Sequence, residues 1–177
     1  MGVGKEFKRM RGRESQQQLS LDFNVSRESI SSYETGRARI PKDVSSKAMS
    51  RFDDPDFART VASEYTSGAW APALNGPALI RECAAIQSRA LKETEEAYEA
   101  MRKAVLDVNP AFIGNFEKDD IKRSLEEASE AVTFLNEYMA TVCKQYKISW
   151  LKTWTGCQAR LISRGFLRKA PKAGVKK

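Results

Sequence analysis

The chain of 177 residues has no histidine, only three cysteines and no long apolar run. Without histidine it cannot form a His-based catalytic triad or a His-ligated zinc site, and the commonest general base is missing too. Cys83, Cys143 and Cys157 are scattered and make no CxxC pair, which is typical of thiols kept reduced in a cytosol. The sequence therefore argues against an enzyme and indicates neither a metal site nor a cofactor.

Membrane signals are missing as well. No apolar segment approaches the roughly 20 residues that a membrane-spanning helix needs. The first five residues lead directly into charged side chains, without the apolar stretch of a signal peptide. We therefore expect a cytoplasmic protein that makes no membrane contact.

The net charge of +7 is concentrated at the two ends of the chain. Residues 1–42 carry a net charge of +4, and residues 149–177 contain eight Lys or Arg without any Asp or Glu. The middle of the chain, residues 43–148, is mildly acidic. An anionic partner is thus expected to meet the ends of the chain.

Residues 15–36 contain the signals of two short helices joined by a tight turn. Ser15 and Ser26 each stand where a hydroxyl can cap the first amides of a helix, and Gln18 follows Ser15 at capping-box spacing. Asn24 tolerates the left-handed conformation that ends the first helix, and Gly36 suits the end of the second. The second helix presents a polar outer face, formed by Arg27, Glu28, Ser31, Ser32 and Thr35.

The flanking residues extend this pair to five helices. An amphipathic segment precedes the pair and ends near Gly12. After Pro41, apolar residues recur at a spacing of four up to Phe52. Pro55 suits the first position of a fifth helix, which ends near residue 65.

Residues 9–41 resemble the Cro/repressor family of phage-type helix-turn-helix regulators, often called XRE-like. The resemblance is carried by Arg9, Gln16-x-x-Leu19, Val25-Ser26-x-x-x-Ile30-Ser31-x-Tyr33-Glu34-x-Gly36 and Pro41. It implies a five-helix DNA-binding domain over about residues 4–65, with double-stranded operator DNA as the partner. The family usually has Ala where this chain has Ser20, a position packed between the two helices.

The resemblance also implies a role for individual side chains. Arg27 and Glu28 would reach base edges from the start of the recognition helix, where Arg suits guanine and Glu suits the cytosine amino group. Ser32, with Ser31 beside it, would be the third reader. An ordinary solvated helix face is the alternative interpretation of Arg27, Glu28 and Ser32. Phosphate contacts are implied for Gln16, Arg37, Arg39 and Lys42, with Gln16 also bracing the start of the recognition helix.

Arg9 and Glu34 occupy positions that often form an internal ion pair in this family. The resemblance implies that the pair holds the first helix against the third. We expect it to be structural rather than functional.

The second half of the chain is predicted to be helical too, so that the whole fold is all-α. Residues 66–76 read as an ordered connector that Trp70 and Leu74 pin to one of the domains. Residues 77–167 then form a helical module. Its two long apolar stripes run over 77–108, through Leu91, Thr94, Tyr98 and Met101, and over 119–148, through Leu125, Val132, Leu135 and Met139.

Such long helices with one apolar stripe must pack on each other or on a second chain. A bundle within one chain is the first possibility. We favour homodimerisation through residues 77–148, because a helix-turn-helix domain gains most by reading two half-sites of DNA.

The last part of the chain is basic. Ser149 is expected to cap a shorter helix that carries Trp150 and Trp154, and residues 168–177 are expected to form a disordered basic tail. The tail either contributes solubility alone or contacts phosphates without adding sequence preference.

Two functions fit these features. The first is a nucleoid-associated transcriptional regulator, of the kind of a phage or mobile-element repressor, that binds operator DNA as a homodimer. The second is an interaction protein, such as an antitoxin or anti-repressor, whose helical half binds a regulatory protein partner.

Overall fold

A computed structural model describes residues 2–169, and no strand occurs within that range. The all-α prediction is therefore confirmed. Of the predicted tail over residues 168–177, only Arg168 and Lys169 fall among the described residues, and both are exposed. The α-helices in this range are α1 (Val3–Arg11), α2 (Gln16–Phe23), α3 (Arg27–Glu34), α4 (Lys42–Phe52), α5 (Pro55–Tyr65), α6 (Cys83–Lys103), α7 (Asn115–Tyr146) and α8 (Trp150–Ser163).

The first five helices enclose one apolar core, and residues 3–65 are called the head from here on. Phe7 of α1 is fully buried at the centre of this core. Its ring lies 5.9 Å from that of Phe57 in α5 and 6.2 Å from that of Phe23 in α2. Ser20 is buried as expected, and its hydroxyl donates to the carbonyl of Gln17.

The turn between α2 and α3 forms as its residues predict. Ser15 and Ser26 accept hydrogen bonds of 3.0 Å from the backbone amides three residues on, so both cap their helices. Asn24 ends α2 with φ of 55°, in the left-handed region. The capping box is only half formed, because the side chain of Gln18 donates to Asp22 rather than back to Ser15.

Residues 66–82 connect the head to α6 without helical structure. The backbone of Leu74 anchors this connector, since its amide donates to Glu137 of α7 and its carbonyl accepts from Arg81. Trp70 is half exposed and borders a groove on α7. The connector thus has polar anchoring contacts that the sequence did not suggest, and the pinning by the side chains of Trp70 and Leu74 stays a prediction.

The two long helices, α6 and α7, pack as a hairpin. Helix α6 is shorter than predicted at both ends, because it begins at Cys83 instead of Pro77 and ends at Lys103 instead of Val108. Before α6, the guanidinium of Arg81 donates to the carbonyl of Leu74 and to the carboxylate of Glu137 in α7. After α6, Ala104 turns to an extended conformation.

The hairpin does not close through the stripes of large apolar residues. The residues of α6 that are buried are mostly small, and on α7 Ser124 and Ala131 are buried while Leu125 and Val132 are exposed. The stripe through Leu91 and Met101 on α6 is exposed as well. The buried residues of α6 are Ile86, Ala90, Glu93, Ala97 and Ala100.

The head meets the helical module through charges and a small apolar cluster. Arg59 of α5 and Glu137 of α7 form a buried ion pair, with 2.6 Å between Nη1 and Oε2. Trp150 at the start of α8 is buried, and its cluster packs against Met49 and Ala58 of the head. Trp150 is therefore a core residue.

The division into domains at residues 66–76 stays a prediction, since these contacts join the two sides. Among residues 2–169, no helix is both long enough and apolar enough to cross a membrane.

Candidate nucleic-acid interface

Helix α3 turns one polar face to solvent and the other to the core. Ile30 and Tyr33 are buried beneath it, whereas Arg27 and Glu28 are exposed and Ser31 and Ser32 are partly exposed. At about 100° per residue, positions 27, 28, 31 and 32 span an arc of roughly 140°. The four predicted base readers therefore share one face, centred on the open side of the helix.

The start of α3 is capped and has the features of an anion-binding helix end. Ser26 caps it, and the hydroxyls of Ser26 and Ser29 lie 2.9 Å apart. Free amides and the helix dipole attract negative charge to such an end. Arg27 is the first residue of the helix, so its guanidinium projects from this electropositive end.

Cationic side chains follow the outer face of α3. Arg37 and Arg39 are exposed in the segment after the helix, and Lys42 is exposed at the first position of α4. Nε of Arg37 donates to the hydroxyl of Thr35, and its Nη2 lies 3.5 Å from that of Ser31. Three of the four predicted phosphate residues are thus on the surface, and Arg37 lies beside the predicted reader Ser31.

The fourth, Gln16, lies at the other end of α3 from the one expected. Its side-chain amide donates to Glu34, the last residue of α3, over 2.8 Å. The expectation that Gln16 braces the start of the recognition helix is therefore wrong. Gln16 is partly exposed, and its contact with a phosphate stays a prediction.

The predicted ion pair between Arg9 and Glu34 is also wrong. Glu34 pairs with Arg11, with 2.5 Å between Oε1 and Nε. Arg9 turns to Glu6 and Asp54 instead, over 2.6 and 2.7 Å.

Helical geometry explains this exchange. Arg11 stands four residues after the buried Phe7 and so shares the inward face of α1, whereas Arg9 projects from the opposite face. An ion pair does join the first helix to the third, but Arg11 forms it instead of Arg9. The packing of α1 on α3, which the sequence pattern does not give, brings the face with Arg11 to Glu34.

Lys47, which the sequence reasoning also missed, binds the end of α2. Its ammonium donates to the carbonyl of Phe23 over 2.7 Å, at the helix end where free carbonyls favour a cation. No local pattern marks this contact, because it joins residues 24 positions apart.

Glu34 stabilises the protein in its ionised form. Burial raises its pKa, but hydrogen bonds from Arg11 and Gln16 lower it, and the net pKa lies below the ordinary value. A carboxyl whose folded pKa is depressed contributes stability above its unfolded pKa of about 4.3 and loses it as the pH falls through the folded pKa.

We therefore expect Glu34→Gln to flatten the pH dependence of unfolding below about pH 4.3, relative to the native chain. Urea titrations between pH 7 and strongly acidic pH, followed by circular dichroism, measure this difference. Burial raises the pKa of Asp56, but Lys144 and Arg59 lower it, and the net pKa lies below the ordinary value. Asp56 therefore keeps part of the acid sensitivity in the variant. If the free energies of unfolding of the two proteins fell in parallel as the pH is lowered, Glu34 would not contribute to the acid sensitivity.

The comparisons with known proteins give no family for this chain: no family model, no curated protein and no solved structure matches it. The resemblance to Cro/repressor domains therefore rests on the residues between Arg9 and Pro41.

Proposed function

We propose that this protein is a sequence-specific DNA-binding transcriptional regulator, a repressor of the kind that phages and mobile elements carry. The observation that carries the proposal is the exposed polar face of α3, capped at its start and flanked by basic side chains. A helix of this diameter fits the major groove of B-DNA. Bound at a promoter, the protein would block access of the polymerase. In this proposal the protein is therefore associated with the nucleoid.

The readers differ in the base that they suit. The guanidinium of Arg27 can donate two hydrogen bonds to O6 and N7 of guanine, and the carboxylate of Glu28 can accept from N4 of cytosine. Ser31 and Ser32, one turn further on, can pair with either a donor or an acceptor. Because Ser31 lies close to Arg37, its hydroxyl is also available to orient that arginine.

The phosphate contacts complete the interface. Arg37, Arg39 and Lys42 bear positive charge on the exposed segment that follows α3. Contacts of this kind fix orientation and affinity without reading sequence, and they make binding depend on salt. The proposed interface carries four cations and one carboxylate, which suits a phosphate backbone.

Two copies would bind one operator. A helix-turn-helix head gains specificity when a dimer reads two half-sites about one helical turn apart, roughly 34–36 Å. Residues 77–148, whose two long helices expose large apolar side chains, supply the dimerisation module in this proposal. Footprinting on the DNA upstream of the protein's own gene tests both parts, since it gives the site and the half-site spacing.

Arg27→Ala is expected to weaken binding to the operator by about 1–3 kcal/mol and to relax preference at one base pair. Arg27 is exposed at the first position of α3, so its removal leaves the fold intact. Gel-shift titrations on the operator and on its single-base variants measure the change.

Arg39→Ala is the matched control, because it removes the same charge from an exposed residue in the segment that follows the helix. It should weaken binding to all DNA sequences alike and reduce the steepness of log K against log salt concentration by about 0.9. Equal affinities of the native and Arg27→Ala proteins for the operator would contradict the proposed base contact.

A second candidate function has one specific observation in its favour. The end of the hairpin that joins α6 to α7 exposes Leu106, Phe112 and Phe116, each at 73% or more. A regulatory protein that binds these side chains would make the chain an antitoxin or anti-repressor type of interaction protein. Sedimentation distinguishes the two, since this alternative requires association with a foreign chain and not with itself.

A further inference from the structure

The exposed apolar side chains of α6 and α7 form a regular pattern. Leu91, Tyr98 and Met101 are 65%, 54% and 52% exposed, and each stands one position after a buried residue of α6. On α7, Leu125 follows the buried Ser124 and Val132 follows the buried Ala131, while Leu135 follows the partly buried Phe134. We define the hairpin face as Leu91, Tyr98, Met101, Leu125, Val132 and Leu135.

The two stripes lie on the same side of the hairpin. A step of one residue rotates a position by about 100° around its helix, always in the right-handed sense. The two helices are antiparallel, and their buried residues face each other. The residue that follows a buried one therefore points, on both helices, to the same side of the plane that contains the two helix axes. Two helices that are 8–10 Å apart thus share one continuous apolar surface.

The buried side of the hairpin is weak in comparison. Its α6 residues are three Ala, one Ile and Glu93, and burial raises the pKa of Glu93. Small side chains bury little apolar area, so this seam contributes little at about 25 cal/mol per Å². The six side chains of the hairpin face are instead 40% to 65% exposed, so a monomer leaves much of their apolar area in water.

We propose that the hairpin face of one molecule packs against the same face of a second copy, forming a four-helix bundle between chains. This inference rests on the proposed homodimer and names the surface that forms it. Isologous pairing of identical faces closes at two copies, as a two-site operator requires.

The available area agrees with this occupant. Helix α6 has 21 residues and so is about 31 Å long. With two helices side by side, the face measures roughly 600 Å² on each copy, or about 1,200 Å² in total. The total is at the lower bound of standard stable interfaces, and the area of about 600 Å² on one copy is at the upper end of the largest apolar patches of monomers.

The surroundings of the face also favour another protein surface over DNA. Residues 77–148 carry a net charge of −3, so a phosphate backbone would be repelled. A groove of about 550 Å³ between Trp70, Leu125 and Val132 borders the face. Its apolar lining is suited to receive a side chain from the second copy.

Sedimentation equilibrium of the full chain without DNA tests the proposal. We expect a dimer at micromolar concentration, and we expect Leu91→Glu/Leu125→Glu to raise its dissociation constant at least about 100-fold. Leu21→Glu is the matched control, because Leu21 is 67% exposed on α2 of the head, and it should leave the dimer unchanged. Circular dichroism checks that each variant keeps its helices.

Because both substituted residues are exposed, the fold should tolerate them. Leu91→Ala/Leu125→Ala provides a milder second variant, for which we expect a rise of about tenfold or more. The proposal is overturned if the native chain is still monomeric at a 100-fold higher concentration, about 0.1 mM. It is also overturned if both double variants dimerise as tightly as the control.

The outcome is separate from that of the proposed function. A native dimer that protects no DNA in footprinting would refute the regulator and leave this interface in place. A monomer that still protects a single half-site would refute this interface and leave DNA binding by the head intact.

Discussion

Glu137→Ala is expected to lower the free energy of unfolding by about 3 kcal/mol, the largest effect that we predict for one substitution. Glu137 is 1% exposed and accepts hydrogen bonds from Arg59, from Arg81 and from the amide of Leu74. Its removal leaves the buried Arg59 without its main counter-charge. Breaking a buried pair costs about 3–5 kcal/mol, and the lower end applies because Asp56 still pairs with Arg59.

Two comparisons isolate the cause. Arg59→Met/Glu137→Met removes both charges and should lose much less stability than the single change, because no unpaired charge remains buried. Asp119→Ala removes an exposed pairing with Lys122 and should change stability by less than about 0.5 kcal/mol. Urea unfolding of the three variants measures these free energies and shows whether an unpaired buried charge causes the loss of stability. A loss below about 1 kcal/mol for Glu137→Ala would mean that water replaces the carboxylate at the junction.

Gly4→Ala is expected to destabilise the head by about 2 kcal/mol and to weaken DNA binding at the same time. A Cβ on Gly4 would clash with the carbonyl oxygen of Tyr33 and lie 3.0 Å from that of Glu34. Both atoms belong to the backbone at the end of α3, so they cannot yield as a flexible side chain would. Helix α3 or α1 must move, and the base readers would move with α3.

The sign of this prediction depends on two opposing terms. Ala favours a helix by about 1 kcal/mol relative to Gly, which offsets part of an overpacking cost of about 3 kcal/mol. Gly156→Ala provides the control, because in α8 the new Cβ would meet only the flexible end of Arg160 at 3.7 Å. It should stabilise the protein by up to about 1 kcal/mol. Thermal unfolding of both variants measures the contrast, and a stabilised Gly4→Ala protein would show that α1 adjusts without cost.

Local signals in the sequence were accurate where one residue decides the conformation. Ser15, Asn24 and Ser26 define the ends of α2 and α3, because a cap depends only on a hydroxyl or a left-handed backbone within three residues. The burial of Ile30 and Tyr33 followed from their helical spacing alone. The polar face of the candidate site could therefore be recognised from the sequence.

Contacts between helices could not be predicted in the same way. Arg9 and Arg11 have the same charge and both precede Gln16, and only the packing of α1 on α3 selects Arg11 as the partner of Glu34. The buried pair of Arg59 and Glu137 joins residues 78 positions apart. No periodicity marks such a pair.

The hairpin shows the same division between sequence and structure. Amphipathic spacing predicted two long helices, and both formed, although α6 is shorter than its pattern. Spacing predicted which residues share a stripe but could not determine what covers that stripe. In the chain, small residues close the seam, because Ala90 and Ala97 let the two helices approach while larger side chains of the stripes stay outside.

By itself, the sequence determined the helical class, the caps around the turn and the polar face of α3, since each depends on residues close in the chain. The tertiary structure decided which arginine holds α3, how closely α1 approaches it at Gly4, and which side of the hairpin is left for a partner. These features depend on the distance and rotation between helices, and small differences in packing decide them.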